Sequence, residues 1–178
     1  MAEIITFTNQ KGGVGKTSLA MNFGVRLKMA GARVLFVDMD PQGNLTYTMG
    51  IDHAEATVYD LLLGRRTARE AILPAAECDI IASSPGLSTF NLAQAGTGKE
   101  YLLRNALQPG TADYDFIVID SPPTLGILTI NILTAANEVI AQVGRVDAAA
   151  SIGVTALLLL AVYGGYFLAT CWGSRRMI

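Results

Sequence analysis

Apolar residues along the chain form short continuous runs that alternate with longer stretches of helical spacing. The runs have the length of β-strands and cover residues 3–8, 33–38, 79–82, 114–120 and 138–143. The stretches with helical spacing cover residues 17–30, 57–63, 99–107 and 125–136. Because the strands are apolar throughout rather than at alternate positions, both faces of their sheet should be buried. The pattern predicts an α/β layered fold with a mostly parallel β-sheet flanked by helices.

Length and composition exclude several classes of protein. The 178 residues suit one domain, and a content of 51% hydrophobic against 16% charged residues excludes an intrinsically disordered chain. The net charge is -2, so any contact with DNA needs a local patch or dimerisation. Cys78 and Cys171 lie far apart, which argues against a disulfide scaffold, a zinc site or an iron–sulfur cluster. No basic run precedes an apolar core at the N-terminus, so we expect a cytoplasmic location.

The strongest chemical motif is a glycine-rich loop between the first predicted strand and the first predicted helix. Residues 10–17 read Gln-Lys-Gly-Gly-Val-Gly-Lys-Thr, with Gln10 where the strict pattern has glycine. Glycines let backbone N–H groups converge on an anion, and the helix N-terminus adds a partial positive charge. Lys16 can reach the β- and γ-phosphates of a nucleotide, and the Thr17 hydroxyl can hold Mg²⁺. The loop therefore predicts a P-loop NTPase-like fold with a phosphate-binding site.

Two further predicted strands end in carboxylates. Asp38 closes the second strand and is followed by Asp40, and Asp120 closes the strand that precedes Ser121. The carboxyl ends of parallel strands meet at one edge of a sheet, so these side chains should share an edge with the glycine-rich loop. One carboxylate of the Asp38–Asp40 pair can orient an attacking water, and the other can help to hold the water shell of a metal. Asp120 is typical of the metal side of a nucleotide site.

Three motifs together resemble the deviant-Walker ATPases of the ParA/Soj/MinD group. They are Lys-Gly-Gly-Val-Gly-Lys-Thr at 11–17, Asp-Met-Asp-Pro-Gln-Gly-Asn at 38–44 and Asp-Ser-Pro-Pro-Thr-Leu-Gly at 120–126. The segments around them resemble ParA/Soj, the plasmid and chromosome partition ATPases, over residues 57–62, 79–87 and 128–136. The resemblance covers about residues 2–143.

This resemblance implies a dimerisation switch that uses ATP and Mg²⁺ and hydrolyses ATP to ADP and phosphate. In the family, ATP lies between two subunits, and the residue matching Lys11 reaches the partner's nucleotide. The residue matching Asp40 positions the hydrolytic water, and those matching Thr17, Asp38 and Asp120 lie at the metal. Lys11, Lys16 and Asp40 are therefore the expected catalytic residues. The expected nucleotide contacts are Lys11, Gly12, Gly13, Val14, Gly15, Lys16, Thr17 and Ser18.

The resemblance also implies partners: a second copy of the chain in the presence of ATP, a ParB-like centromere-binding protein and nonspecific DNA. These would place the protein at the nucleoid. A basic DNA-binding surface is not visible in the sequence, because the cluster of Arg65, Arg66 and Arg69 is more typical of a solvated helix face. Asn131 is expected to pack or cap helices rather than to bind a ligand.

The sequence departs from the family after about residue 143. We assign residues 1–143 to a ParA-like nucleotide-binding domain and 144–178 to an apolar tail, in which 148–173 carry no charge. In one interpretation the chain is truncated or frame-altered, and the C-terminal part of the fold is missing or replaced. In a second, the tail is a transmembrane helix, since it exceeds the ~20 residues that span a bilayer. Arg175 and Arg176 argue against the orientation that this requires. In a third, the tail forms a buried helix or strand pair.

Two classes of function remain open from the sequence. The first is an ATP-hydrolysing switch in plasmid or chromosome partition. The alternative is a truncated, catalytically defective fragment that still binds nucleotide. A membrane-tethered, MinD-like ATPase is a further alternative, and it requires the tail to insert into a membrane.

Overall fold

The computed structural model describes residues 2–9, 13–90 and 98–141. Within these residues the strands are β1 (Glu3–Thr8), β2 (Val34–Asp38), β3 (Ile72–Leu73), β4 (Asp79–Ile81), β5 (Phe116–Asp120) and β6 (Glu138–Ala141). The α-helices are α1 (Lys16–Met29), α2 (Asn44–Thr48), α3 (Val58–Leu62), α4 (Ala68–Ala71), α5 (Leu102–Leu107) and α6 (Ile127–Ala135). Two short 3₁₀ segments cover Pro85–Thr89 and Lys99–Tyr101.

The strands form one six-stranded sheet in the order β3-β4-β2-β5-β1-β6. Every neighbouring pair is parallel except β3 and β4, which are antiparallel. In the register of β2 and β5, Asp38 lies directly opposite Asp120, and Phe7 of β1 lies on the other side of Asp120. The predicted mostly parallel sheet flanked by helices is therefore confirmed. The carboxyl ends of its three central strands lie side by side.

Alternate residues of the central strands pack into two separate cores. In β2, Leu35 and Val37 face a core with α3, α5 and α6, whereas Val34 and Phe36 face a core with α1 and α2. All five residues of β2 are buried. A continuous apolar run is the pattern that a strand covered on both faces requires, since successive side chains point to opposite faces.

Helix α1 carries the glycine-rich loop at its first turn, and its other end is closed by Gly31. The N–H of Gly31 bonds the carbonyl of Lys28, and the N–H of Ala32 bonds the carbonyl of Leu27, with Gly31 at φ 92°. This is the Schellman arrangement that ends a helix at a left-handed residue. Helix α1 packs against β1, β2 and β5 through Ala20 and Leu27.

Gly24 in the middle of α1 lets the helix approach the sheet closely. A Cβ at this position would lie 2.4 Å from Cζ of Phe36, whose ring is fully buried. Replacing Gly24 by alanine is expected to lower the free energy of unfolding by about 1–3 kcal/mol. Overpacking of this core outweighs the roughly 1 kcal/mol that alanine gains over glycine in a helix. Urea unfolding measures the change. Asn22→Ala on the exposed side of α1 is the control, and a Gly24→Ala chain as stable as the parent would contradict the prediction.

On the opposite face of the sheet, a side chain of α6 links this helix to the start of α5. Asn131 is fully buried, and its amide oxygen accepts the N–H of Leu103 at 3.1 Å. Its amide nitrogen donates to the carbonyls of Lys99 and Ile127 at 2.7 and 3.0 Å. The prediction that Asn131 packs and caps helices is confirmed. The helix after Asp120 is thereby clamped to the start of α5.

Candidate functional site

The described part of the glycine-rich loop turns sharply into α1. Gly13 and Gly15 have φ values of 69° and 85°, a left-handed conformation that residues with a side chain rarely adopt. Among the described residues, nothing lies within 4 Å of a Cβ built on either glycine, so the backbone faces open space there. The loop thus leaves the amides at the start of a 14-residue helix accessible to an anion. Gln10, Lys11 and Gly12 lie outside the described residues.

A cleft of about 600 Å³ opens above this helix start. Three segments line it: residues 13–18, the loop after β2 together with α2, and Pro123 after β5. Seven of the predicted site residues are brought together here: Gly13, Val14, Gly15, Lys16, Thr17, Ser18 and Asp40. A second cavity of about 410 Å³ lies at the amino ends of β1 and β5, and no carboxylate is among its described lining residues. The chemistry therefore favours the first cleft as the functional site.

Asp120 lies beneath the cleft, with a fully buried carboxylate. Among the described residues, neither of its oxygens has a hydrogen-bond partner of regular geometry. Burial is the largest cause that raises the pKa of Asp120 to about 7, and the nearby charges of Asp38 and Asp40 act in the same direction. The Thr17 hydroxyl and the Lys16 ammonium oppose this shift. An orphaned buried carboxylate facing a hydroxyl and an ammonium group fits a site that a cation or its water completes.

A magnesium ion at this position would use few protein ligands. In the described ranges, no group of three or more His, Cys, Asp or Glu side chains is arranged as a metal site. Mg²⁺ normally keeps several waters and takes one or two carboxylates together with substrate phosphates. The pairing of Thr17 with Asp120 beside an open cleft suits that coordination.

Asp38 is also predicted at the metal, but its carboxylate accepts hydrogen bonds from neighbouring groups of the protein. One oxygen accepts the N–H of Asp40 at 3.1 Å. The other accepts the N–H and the hydroxyl of Thr46 at 2.8 and 2.7 Å. Burial raises the pKa of Asp38, and these hydrogen bonds lower it. Asp38 therefore lies beside Asp120 in the sheet but is directed at the loop that follows its own strand.

Asp40 is held at the edge of the cleft by its main chain and its side chain. One of its carboxylate oxygens accepts the N–H of Gln42 at 3.0 Å. Its carbonyl accepts the hydroxyl of Ser83, which follows β4. Thr46 and Ser83 belong to none of the three sequence motifs that predict the site. Ser83 could have been found by the reasoning used for the aspartates, because it follows the carboxyl end of a strand two places from β5.

The arginine cluster shows ordinary surface pairing. Each side chain is more than half exposed and lies within 4 Å of a carboxylate: Arg65 by Asp60, Arg66 by Glu70 and Arg69 by Asp113. Pairs of this kind contribute little to stability. The expectation of a solvated surface fits this arrangement, but the expected helix face is wrong, because Arg65 and Arg66 lie in the turn between α3 and α4.

Comparison with known proteins identifies the family. A model of the AAA domain family matches residues 2–161, which is most of the chain. The chain belongs to the AAA domain family. Its curated relatives place this AAA domain with the ParA/Soj type, as the three motifs predict.

Two curated relatives show the extent of the match. The chromosome partitioning protein ParA of Myxococcus xanthus is 41% identical over 145 residues, which cover 79% of this chain and 51% of the relative. The sporulation initiation inhibitor protein Soj of Bacillus subtilis is 43% identical over 148 residues, which cover 80% of this chain and 58% of Soj. This chain thus spans just over half the length of these two relatives.

A solved structure shares the fold. Cobyrinic acid a,c-diamide synthase of Mycobacterium smegmatis, with bound ADP and magnesium, superposes with a TM-score of 0.77 at 37% identity. The match covers 80% of this chain and 60% of the synthase chain. Among the described residues of the AAA domain, no helix has both the length and the apolar character needed to cross a bilayer. Residues 142–178 lie outside the described part, so the division at residue 143 and the interpretations of the tail stay predictions.

Proposed function

We propose that this chain binds ATP with Mg²⁺ in the cleft at the start of α1 and hydrolyses it to ADP and phosphate. The observation that carries the proposal is the buried carboxylate of Asp120, which has no regular partner among the described residues. It lies beside Lys16 and Thr17, which line an open cleft. The structure of the synthase with ADP and magnesium at 37% identity supports the same ligand class.

Each residue of the cleft has a distinct role in this proposal. The amides of the glycine-rich loop and α1 bind the phosphates, with Lys16 as their charged partner. Thr17 and Asp120 hold the metal, Asp120 through water, and Asp38 lies beside them. Asp40 accepts a hydrogen bond from the attacking water and so aims it at the terminal phosphorus. When bound, Mg²⁺ neutralises charge on the phosphate oxygens.

The biological role that we propose is partition of a plasmid or chromosome. ATP joins two copies of the chain, and Lys11 of each copy contacts the nucleotide of the other. The dimer binds DNA nonspecifically in the cytoplasm, and a ParB-like protein stimulates hydrolysis. The names of the ParA and Soj relatives support this role.

A nucleotide-binding fragment without turnover is the second candidate. It is favoured by one observation, that the chain covers only 51% and 58% of its two relatives. A multiple-turnover ATPase assay with Mg²⁺ and DNA separates the candidates. Phosphate release above that of a Lys16→Ala variant excludes the fragment, whereas nucleotide binding without release favours it.

The role of Lys11 is tested by replacing it with alanine. We expect the variant to retain much of its ATP binding and to lose at least about 10-fold in turnover, because a cation supplied across an interface acts on transition-state charge. Phosphate release measured over a range of protein concentrations tests this. Lys28→Ala, which removes a cation from the far end of α1, is the control. If Lys11→Ala releases phosphate as fast as the parent, the shared-nucleotide arrangement is wrong.

A further inference from the structure

Thr46 joins three separate segments of the chain below the cleft. It lies in α2 and is 9% exposed, and it is not among the described residues that line the cleft. Its hydroxyl donates to Asp38 at the end of β2 at 2.7 Å and accepts the N–H of Ser83 after β4 at 2.9 Å. One buried hydroxyl therefore ties α2 to the ends of two neighbouring strands.

The same network holds the main chain of Asp40 on both sides. The N–H of Asp40 donates to the Asp38 oxygen that Thr46 does not use. The carbonyl of Asp40 accepts the Ser83 hydroxyl, and the Ser83 main chain is fixed by Thr46. The two residues that grip Asp40 are thus both oriented by Thr46.

We propose that Thr46 and Ser83 are positioning residues that hold the Asp40 carboxylate in line with the attacking water. This inference rests on the proposed function, because it assigns Asp40 to the water. The geometric reason is that Asp40 lies on a loop, where one hydrogen bond to Gln42 does not by itself fix a carboxylate. Anchoring the loop to two strand ends gives it the rigidity of the sheet. A misplacement of about 1 Å at such a residue can cost about 100-fold in rate.

The test replaces Thr46 by valine, which keeps the branched shape and removes the hydroxyl. We expect kcat to fall about 10–100-fold, while the affinity for an ATP analogue with Mg²⁺ stays close to that of the parent. Thr46→Ser keeps the hydroxyl and should restore most of kcat. Ser83→Ala removes only the contact to the Asp40 carbonyl and should lower kcat by a smaller factor. It also serves as the second variant if Thr46→Val folds poorly.

Thr111→Val is the matched control. Thr111 is also buried, at 5% exposed, and its hydroxyl donates to the carbonyl of Leu107 at 2.8 Å, at the far end of α5. It should change thermal stability without changing kcat. A Thr46→Val chain with the parent's kcat, or a serine variant that fails to recover, overturns the inference.

Hydrogen exchange of the segment 38–46 gives a readout that does not need turnover. Thr46→Val should exchange at least about 10-fold faster in this segment, with the central strands unchanged, because local opening follows the loss of local contacts. If the parent chain shows no turnover, the proposed function fails, and the exchange measurement still shows whether Thr46 anchors the segment that carries Asp40. Unchanged exchange in Thr46→Val overturns the positioning role in either case.

Discussion

Replacing Lys16 by alanine is expected to weaken binding of ATP with Mg²⁺ by about 100-fold or more and to abolish turnover. Lys16 is buried at the first turn of α1 and lines the cleft, where it is the charged partner proposed for the phosphates. A charge-assisted hydrogen bond in a partly desolvated cleft has no replacement when the ammonium is removed. Titration calorimetry with a non-hydrolysable ATP analogue measures the loss.

The control for this prediction is Lys28→Ala in the last turn of the same helix. Lys28 is exposed and donates to the carbonyl of Glu77, well away from the cleft residues. It should bind nucleotide as the parent does. Circular dichroism must show that Lys16→Ala is folded. A folded Lys16→Ala chain with the parent's affinity would mean that the cleft is not the nucleotide site.

Replacing Asp120 by asparagine is expected to have opposite effects on stability and on metal-dependent binding. Without metal or nucleotide, the pKa of Asp120 lies near 7, against an ordinary value of 3.8. The folded protein therefore disfavours the ionised form of Asp120. The resulting loss in the free energy of unfolding is absent below about pH 4, grows as the pH rises and is complete above pH 7. At pH 8 the asparagine variant should unfold with a free energy higher by about 2 kcal/mol, and this gain should shrink towards pH 4.

Asp120→Asn should have the opposite effect on the stabilisation that Mg²⁺ and ATP provide. Asparagine supplies no negative charge to a metal-bound water, so the rise in melting temperature that Mg²⁺ and ATP give the parent should be largely lost. Thermal unfolding in EDTA and in Mg²⁺ with ATP measures both effects, with exposed Asp52→Asn as the control. An Asp120→Asn chain that is less stable than the parent at pH 8 in EDTA would show that the carboxylate has a stabilising partner.

The sequence was most informative where the chain is apolar throughout. The runs that became β1, β2 and β5 are buried on both faces, and their ends carry the glycine-rich loop, Asp38 and Asp120. Parallel strands bring their carboxyl ends to one edge, so the meeting of these groups followed from the pattern alone. Asp38 and Asp120 lie directly opposite each other in the register.

The elements that the pattern missed are short or depend on distant partners. Helix α4 and strand β3 together span six residues, too few for a periodicity to show. The reciprocal contacts of Thr67 and Glu70 do mark the start of α4, and they form a capping box that the sequence could have indicated. Thr46 and Ser83 are 37 positions apart, and no local rule predicts that one hydroxyl and one amide meet.

Because β5 lies in the middle of the sheet, the residue at its end should move less than the loops that line the cleft. Strands with a neighbour on each side open least often, whereas loops and short helices open at low cost. Asp120 is the last residue of β5, while Asp40 and Pro123 belong to loops. Under the proposed function, departure of product can therefore loosen the walls of the cleft while its floor keeps its shape, so that the next ligand meets a prepared anchor.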